Sequence, residues 1–481
     1  MSFQKLANTQ GEEAKSTHAL VLGGSLSGML AARVLSDHFD RVTVIERDPF
    51  QQTPEPRKGV PQAIHVHVLM KRGQIILEQL FPGLTDQLYK AGAHRLEMAS
   101  EAAWLTPAGW GVRYSSDLDM LALTRPLLDW HVRRRLESLE QVAFIDNHEI
   151  VSLIPNAAGD GISGATIRSR ADGCQLENQM FADLVVDATG RRSRAPQWLK
   201  ELGYPQPREI VINGFLGYAS RLYKNIGLKH DWKCAYIQTA PPERNRGAVL
   251  FPVEGGRWLL SVIGGGRDYP PMDEQGFLEF VRNLADPIIY ETIRDLEPLS
   301  PIRGYRAAEN RMRLYDRVSR FPENFIVVGD AACAFNPVYG QGMTIAAMGA
   351  LTLAETLIEQ KRIAADSLKG LSKRFQRRLA KVNSAPWLLA TGEDFRYRET
   401  EGGSLSLMTR FMHAYMDQVV KLTTVDPEVR EQLLRTFHML QKPTSLFHPR
   451  IVSKVMKQVI PFSRKPLRKR WLKEPVGETT M

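Results

Sequence analysis

Two groups of residues in this chain of 481 have the types and spacing for binding chemistry. The first is Gly23-Gly24-Ser25-Leu26-Ser27-Gly28, with Glu46 and Arg47 further on. A glycine at 23 permits a tight turn and one at 28 lets helix and strand pack closely. The free N–H groups of the helix start can then face a pyrophosphate. Glu46 stands where an acid accepts hydrogen bonds from a ribose. One departure is visible: the usual middle glycine is Ser25, with Gly24 beside it. Such a unit can carry glycines for packing alone, but here strand, turn, helix, strand and acid follow in order. That order points to a bound dinucleotide.

The second group lies far downstream. Phe325 to Gly329 reads as a buried strand ending on Asp330, and Asn336 to Met343 then leads into an Ala- and Leu-rich helical pattern from Thr344. A strand-terminal carboxylate can bind sugar-like hydroxyls, and amides at Gly342 and Met343 can face a developing negative charge. Gly340-Gln341-Gly342 could be a plain helix entry, but its place soon after Asp330 argues for cofactor contact. Lesser candidates surround these groups. Arg57-Lys58-Gly59-Val60 forms a loop able to reach an anionic cofactor, although Arg57 and Lys58 alone would pass for a solvated pair. Gly190 ends the strand Leu184 to Val186 and its Asp187-Ala188-Thr189 turn, beside Arg191, Arg192 and Arg194. Arg125 sits at a helix start, where a cation needs an anionic or carbonyl partner to offset the positive helix end. His65 and His67 alternate with Val66 and Val68. That is not metal-ligand spacing, and no metal site is expected.

The elements that must position these residues follow from pattern. Ala19–Leu22 and Val42–Ile45 read as strands, Gly23–Gly28 as the turn and Met29–Leu35 as a helix. A second helix is expected over 67–80. Residues 102–118 suggest a hairpin. Thr124 can cap a helix whose first turn accepts Pro126. Residues 142–190 form a β-rich excursion, and 215–221, 234–239, 248–252 and 258–263 read as strands. Gly264-Gly265-Gly266 is a strand-end turn rather than a second nucleotide loop. Residues 371–460 read as helical, with breaks near Pro386, Gly402-Gly403, Pro427 and Pro443.

A chain of this length can bury more than one core. Cys174, Cys234 and Cys333 are widely spaced, which excludes a disulfide framework and suits a reducing compartment. Residues 1–17 lack an apolar core, so no signal peptide is expected, and no apolar run reaches membrane-span length. Nine lysines and arginines with no acid lie in 450–473; without them the net charge falls from +10 to +1. The basicity is therefore local, and no nucleic-acid motif accompanies it. Ile451, Val452, Val455, Met456, Val459 and Ile460 fall on one helical stripe. It would suit a docking helix or a weak contact of the basic tail with a membrane surface. A cytoplasmic protein, peripheral at most to the inner membrane face, is expected.

Taken together, the two glycine-rich turns and Asp330 resemble the flavoprotein monooxygenase superfamily that includes aromatic hydroxylases and squalene epoxidase. Several stretches are similar to bacterial flavin-dependent epoxidases that act on polyenes in polyether assembly. These are Arg57 to Gln62 with His65 and His67, Arg125 with Leu127 to Trp130, Phe335 to Gly340, and Trp387 to Asp394. The resemblance spans about residues 18–400. It implies that the first turn holds the ADP half of FAD, that Asp330 holds the ribityl chain, and that Gly340 to Met343 lies against the pyrimidine ring. Two departures matter. The superfamily's Ala-Asp-Gly motif reads Ala188-Thr189-Gly190 here, so its acid's role does not carry over to Thr189. The Trp-x-Trp-x-Ile-Pro signature of tryptophan halogenases is absent, which disfavours halogenation.

The expected architecture is α/β. A Rossmann-like three-layer FAD-binding domain comes from 18–85, 118–195 and 305–370. A β-sheet substrate domain comes from 86–117 and 196–304, and 371–481 form a helical C-terminal region. The resemblance implies oxygen insertion from O2 through a flavin C4a-hydroperoxide, as epoxidation of an alkene in a large hydrophobic polyketide or terpenoid. No side-chain acid or base is assigned to it. A flavin-dependent C=C reductase of the geranylgeranyl reductase type and a flavoprotein that only binds remain open. Only one dinucleotide fingerprint is present, so electrons come from NAD(P)H docking over the flavin or from a separate flavin reductase.

Overall fold

The computed structural model describes residues 16–171, 176–227, 230–306 and 309–459. Five parallel strands form its first sheet, in the order Phe325–Val327, Leu184–Asp187, His18–Leu22, Arg41–Ile45, Val142–Ile145. The first four are almost wholly buried, as parallel strands covered on both faces must be, and the edge strand Val142–Ile145 is only partly so. Their register decides the function of one edge. Leu22 pairs with both Ile45 and Asp187, and Asp187 with Val327, so four strands end level. Whatever follows each strand is thereby gathered along one line, the place where open α/β sheets bind ligands.

Helices Leu26–Leu35 and Gly342–Ile363 pack together against this sheet, and Leu371–Asp394 packs on the second of them. A three-stranded antiparallel sheet of His148–Pro155, Ile162–Ser169 and Glu177–Phe181 supplies the third layer. A separate seven-stranded sheet takes its strands from 102–110 and 217–305. Its alternation is clean. Ala248, Leu250, Leu260 and Val262 pack beneath helices Glu274–Arg282 and Ile288–Ile293, whereas Val249, Phe251 and Leu259 face the opposite way. Helices Leu407–Leu422, Pro427–Phe437 and Pro449–Val459 share a small core of their own. They are tied back to the start of the chain, since the amides of Lys71 and Arg72 bond the ring and carbonyl of His438.

Three expectations are corrected. The first helix begins at Leu26, so the turn is Gly23–Ser25 and Gly28 lies within the helix. The second begins at Lys71 rather than residue 67. The segment before it stays extended because distant hydroxyls take its amides: Ser261 accepts from Val66 and Thr344 from Met70. Pro386 does not break the chain, and Leu371–Asp394 runs through it. One lost hydrogen bond there is offset by burial of Phe375, Leu379, Pro386 and Ala390 along a single stripe. The terminal stripe is divided: Ile451 and Val455 are buried against the neighbouring helices, while Met456 and Val459 face outward. Ile460, Cys174 and the basic residues from Arg464 onward lie outside the described residues.

Candidate functional site

At the level edge of the parallel sheet, the first turn is built by close backbone approach. Gly23 has φ +107°, and a Cβ there would lie 2.5 Å from the Ala188 carbonyl oxygen. At Gly28 a Cβ would meet the Gly23 oxygen at 1.8 Å. Ser25 precedes the helix without a side-chain cap, which leaves the first helical amides free. Glu46 accepts from the Gly24 amide at 2.8 Å and from the Asp48 amide at 3.1 Å. Arg57 is no solvated residue. Its guanidinium is buried, 3.2 Å from Glu46, donates to the Gly24 carbonyl and rests over the Phe50 ring. Lys58 and Arg47 are exposed at the rim of the same cleft, with Gly59 and Val60 beside them. Arg125 has the anionic partner its position requires: Nε donates to Asp129 at 2.6 Å, and Nη2 reaches the Ser25 hydroxyl at 3.3 Å.

The second turn differs in kind. Gly329 has φ +57°, and a Cβ there would strike Ser27, so strand end and helix start interlock. Asp330 then faces the cleft, and among the described residues its carboxylate accepts no hydrogen bond. Burial raises its pKa, while Arg191 and Arg125 pull it down. Gly340 takes φ +63°, Gln341 leaves its buried Oε1 without a partner, and helix Gly342–Ile363 starts with no side-chain cap. At Gly342 and at Gly190 a Cβ would meet nothing within 4 Å. Thr189 is held by Asp187, which accepts from its amide at 2.9 Å and its hydroxyl at 2.6 Å. Arg191 is pinned on the carbonyls of Glu309 and Phe335, and Arg192 and Arg194 line the cleft.

These turns open into one cavity of about 1610 Å³. A drug-sized ligand fills roughly 300–1,000 Å³, so a dinucleotide and a second large molecule can share the space. The cavity is also walled by Phe251 and Ile263 of the seven-stranded sheet, by Pro386, Val420 and Phe437 of the C-terminal helices, and by Leu440. His65 and His67 line the same cavity. Burial pushes His65 down to about 4; burial, with Arg125 second, pushes His67 down to about 3. Both imidazoles are neutral near pH 7. His65 is fixed by Ser220 at 2.7 Å. Among the described residues no group of three or more His, Cys, Asp or Glu could hold a metal ion.

One cluster lies partly in stretches that carry the resemblance, yet the sequence reading assigns it no role. Asp394 ends helix Leu371–Asp394 and accepts from Asn310 at 2.7 Å, Asn336 at 3.3 Å and Tyr339 at 2.6 Å. Tyr218 donates to Asn336 at 2.7 Å. Burial drives the Asp394 carboxyl up to about 7, against the pull of its three donors. This network fixes the turn 336–340 from behind, and Tyr339 and Tyr218 face the cavity. A signal was present: Phe375, Leu379, Asn383, Pro386, Ala390 and Asp394 form one helical stripe, so an acid on it must be buried.

A parallel sheet with a Gly-rich turn, a strand-end acid and an inserted antiparallel sheet defines a dinucleotide-binding oxidoreductase fold. The chain belongs to the family described as FAD binding domain (FAD_binding_3), which it matches over residues 16–378. It is 31% identical over 437 residues to "Protein Rv3254" of Mycobacterium tuberculosis (strain ATCC 25618 / H37Rv), covering 88% of this chain and 90% of that one. Its fold is similar to that of p-nitrophenol 4-monooxygenase PnpA from Pseudomonas putida DLL-E4, with TM-score 0.63, 20% identity and coverage of 88% and 98%. It is also similar to the myxobacterial chondrochloren halogenase CndH, with TM-score 0.60, 18% identity and coverage of 88% and 97%. The residues present fit FAD: an acceptor-only carboxylate at Asp330 lacks a partner, two uncapped helix starts border the cleft, and the space over Gly190 and Gly342 is open.

Proposed function

We propose that this flavin-dependent oxidoreductase inserts one oxygen atom from O2 into an alkene of a large apolar substrate, by epoxidation of a polyketide or terpenoid. One observation carries the reading: the cavity of about 1610 Å³ exceeds what one ligand needs, and Phe251, Ile263, Pro386, Val420, Phe437 and Leu440 line it in addition to the two turns. FAD, bound and reduced, would supply the electrons that activate O2, one atom of which goes to the alkene and the other to water. The chain does the rest. The amides of Leu26–Gly28, with Arg125 beside them, hold the pyrophosphate, and Glu46 meets the ribose with what acceptor capacity its backbone bonds leave. Asp330 accepts from the ribityl hydroxyls, and the amides of Gly342 and Met343 face negative charge on the ring. His65 and His67, neutral near pH 7, line the same cavity. The apolar wall excludes water and orients the double bond. No side chain needs to serve as acid or base.

Oxygen uptake with a panel of polyenes tests this, with product mass gaining 16. A gain of 2 without oxygen uptake would establish the C=C reductase instead, and neither change would leave a binding protein. FAD is held without a covalent bond, so denaturation should release a yellow cofactor of FAD mass. We favour electron delivery by a separate flavin reductase fed by NAD(P)H over direct docking: Thr189 is held by Asp187 and Arg191 is spent on carbonyls, although Arg192 and Arg194 in the cleft can attract a nucleotide's phosphates. Anaerobic mixing with NADPH or NADH and substrate should bleach the flavin far more slowly than a turnover of ~10 s⁻¹. Rapid bleaching by either nucleotide alone would show the chain to be self-sufficient.

A further inference from the structure

His65 and His67 both line the cavity, but their rings are held in different ways. His65 is tied to Ser220, and its Nε2 is enclosed by protein. The Nδ1 of His67 lies 3.0 Å from the His65 carbonyl oxygen. A carbonyl can only accept, so Nδ1 carries the proton and Nε2 holds a lone pair. That Nε2 has no partner among the described residues and is not sealed in protein, so it opens on the cavity that the ring lines. The segment fixes the ring. Val66 and Met70 give their amides to Ser261 and Thr344, which keeps the backbone extended. Val66 and Val68 pack on the cluster around Phe251 and Leu259, which turns the histidine between them to the other side. A Cβ at Gly340 would lie 3.3 Å from the Val68 Cβ, so the neighbour of His67 touches the second turn. Arg125 joins this ring to the rest of the site. Burial first, and Arg125 second, keeps His67 neutral. Arg125 also pulls on Asp330, after Arg191 and against burial, and reaches Ser25 in the first turn. A neutral acceptor, an unpartnered carboxylate and a cation thus share one stretch of the cavity.

We infer that His67 Nε2 accepts a hydrogen bond from a ribityl hydroxyl of FAD, next to the phosphate held by Arg125. The inference rests on the pyrophosphate placement at Leu26–Gly28 proposed above. A lone pair set beside a cation suits a ligand in which an O–H group adjoins an anion. FAD has that order where its polyol chain meets the phosphates. A phosphate cannot itself be the partner of Nε2, since both offer only lone pairs. A carboxylate at this position would pair with Arg125 and repel the pyrophosphate. A neutral imidazole takes the hydroxyl and leaves the guanidinium to the anion. It also relieves Asp330, since a chain of several hydroxyls taken out of water needs more than one acceptor.

Titration of the full-length apoprotein with FAD, read by flavin fluorescence, tests the contact without any turnover. His67→Asn keeps a donor for the His65 carbonyl and loses the acceptor at Nε2, so it should weaken FAD about tenfold. His67→Gln carries an oxygen toward the Nε2 position and should stay within about threefold of the wild type. Should His67→Asn misfold, His67→Leu takes its place with the same expectation. Arg125→Leu, which should weaken FAD about tenfold whatever stands at 67, tests the pyrophosphate placement separately. FAD analogues that lack the ribityl hydroxyls one at a time give the second arm. One of them should weaken wild-type binding about tenfold and binding by His67→Asn no further, because the shared contact is already gone. Equal FAD affinity in the wild type and His67→Asn would overturn the inference. So would analogue losses that all simply add to the loss in His67→Asn, since the lone pair would then serve something other than the ribityl chain.

Discussion

The glycines that border the cleft are there for two opposite reasons. At Gly23, Gly28 and Gly329 the space a side chain would occupy is filled by protein. At Gly190 and Gly342 it is empty and faces the cavity. The first set makes the fold possible; the second leaves room for something that is not protein. Substitution can separate the two. Gly28→Val drives a side chain into the Gly23 carbonyl and should leave little soluble protein, or a loss of many degrees in thermal midpoint. Gly342→Trp should keep the wild-type melt of the apoprotein and lose FAD binding by 100-fold or more, read by fluorescence titration. Equal damage to folding in both variants would erase the distinction.

Asp330→Ala sharpens it further. Loss of an acceptor for ribityl hydroxyls should weaken FAD about 10- to 100-fold, since hydrogen bonds to charged groups contribute roughly 1.5–3 kcal/mol. Because the carboxylate makes no hydrogen bond in the protein, the apoprotein should not be destabilised. The smallest effect concerns Asp394. Its folded pKa of about 7 lies above the unfolded value, so the folded state holds the proton more tightly. Stability from this group therefore falls as pH rises from about 4 to 7 and is flat outside that window. Asp394→Asn should flatten the slope between pH 4 and 7 in urea titrations and leave FAD affinity within a few-fold. An unchanged slope would place the titration elsewhere.

The parts of the site legible in the sequence are those made by local signals. The Gly23 turn, Glu46 after its strand, Asp330 after Gly329 and the helix expected from Thr344, which begins two residues earlier at Gly342, each follow from a few adjacent residues. Thr124 caps its helix as expected, accepting from Leu127. What was not legible depends on distant partners. Arg57 looked solvated because nothing nearby in sequence shows Glu46 and Phe50 closing over it. The donors to Asp394 come from 84, 58 and 55 residues away. Residues 65–70 stay extended because hydroxyls on remote elements take their amides. Pro386 carries a strong local signal for a break, and packing of its stripe overrules it.

The cavity wall is contributed by residues from Gly23 to Leu446. Beside that wall, His438 bonds Lys71 and Arg72, which were made hundreds of residues earlier. During synthesis the chain must therefore carry an unfinished apolar trough until its final helices emerge, and Phe325–Val327 must still add to a sheet begun at His18. Parallel pairing of such separation is slow and leaves strand edges open. A ribosome-stalled chain ending before residue 430 should thus expose its nucleotide turn and a sticky half-cavity together, which makes it a natural client for chaperones.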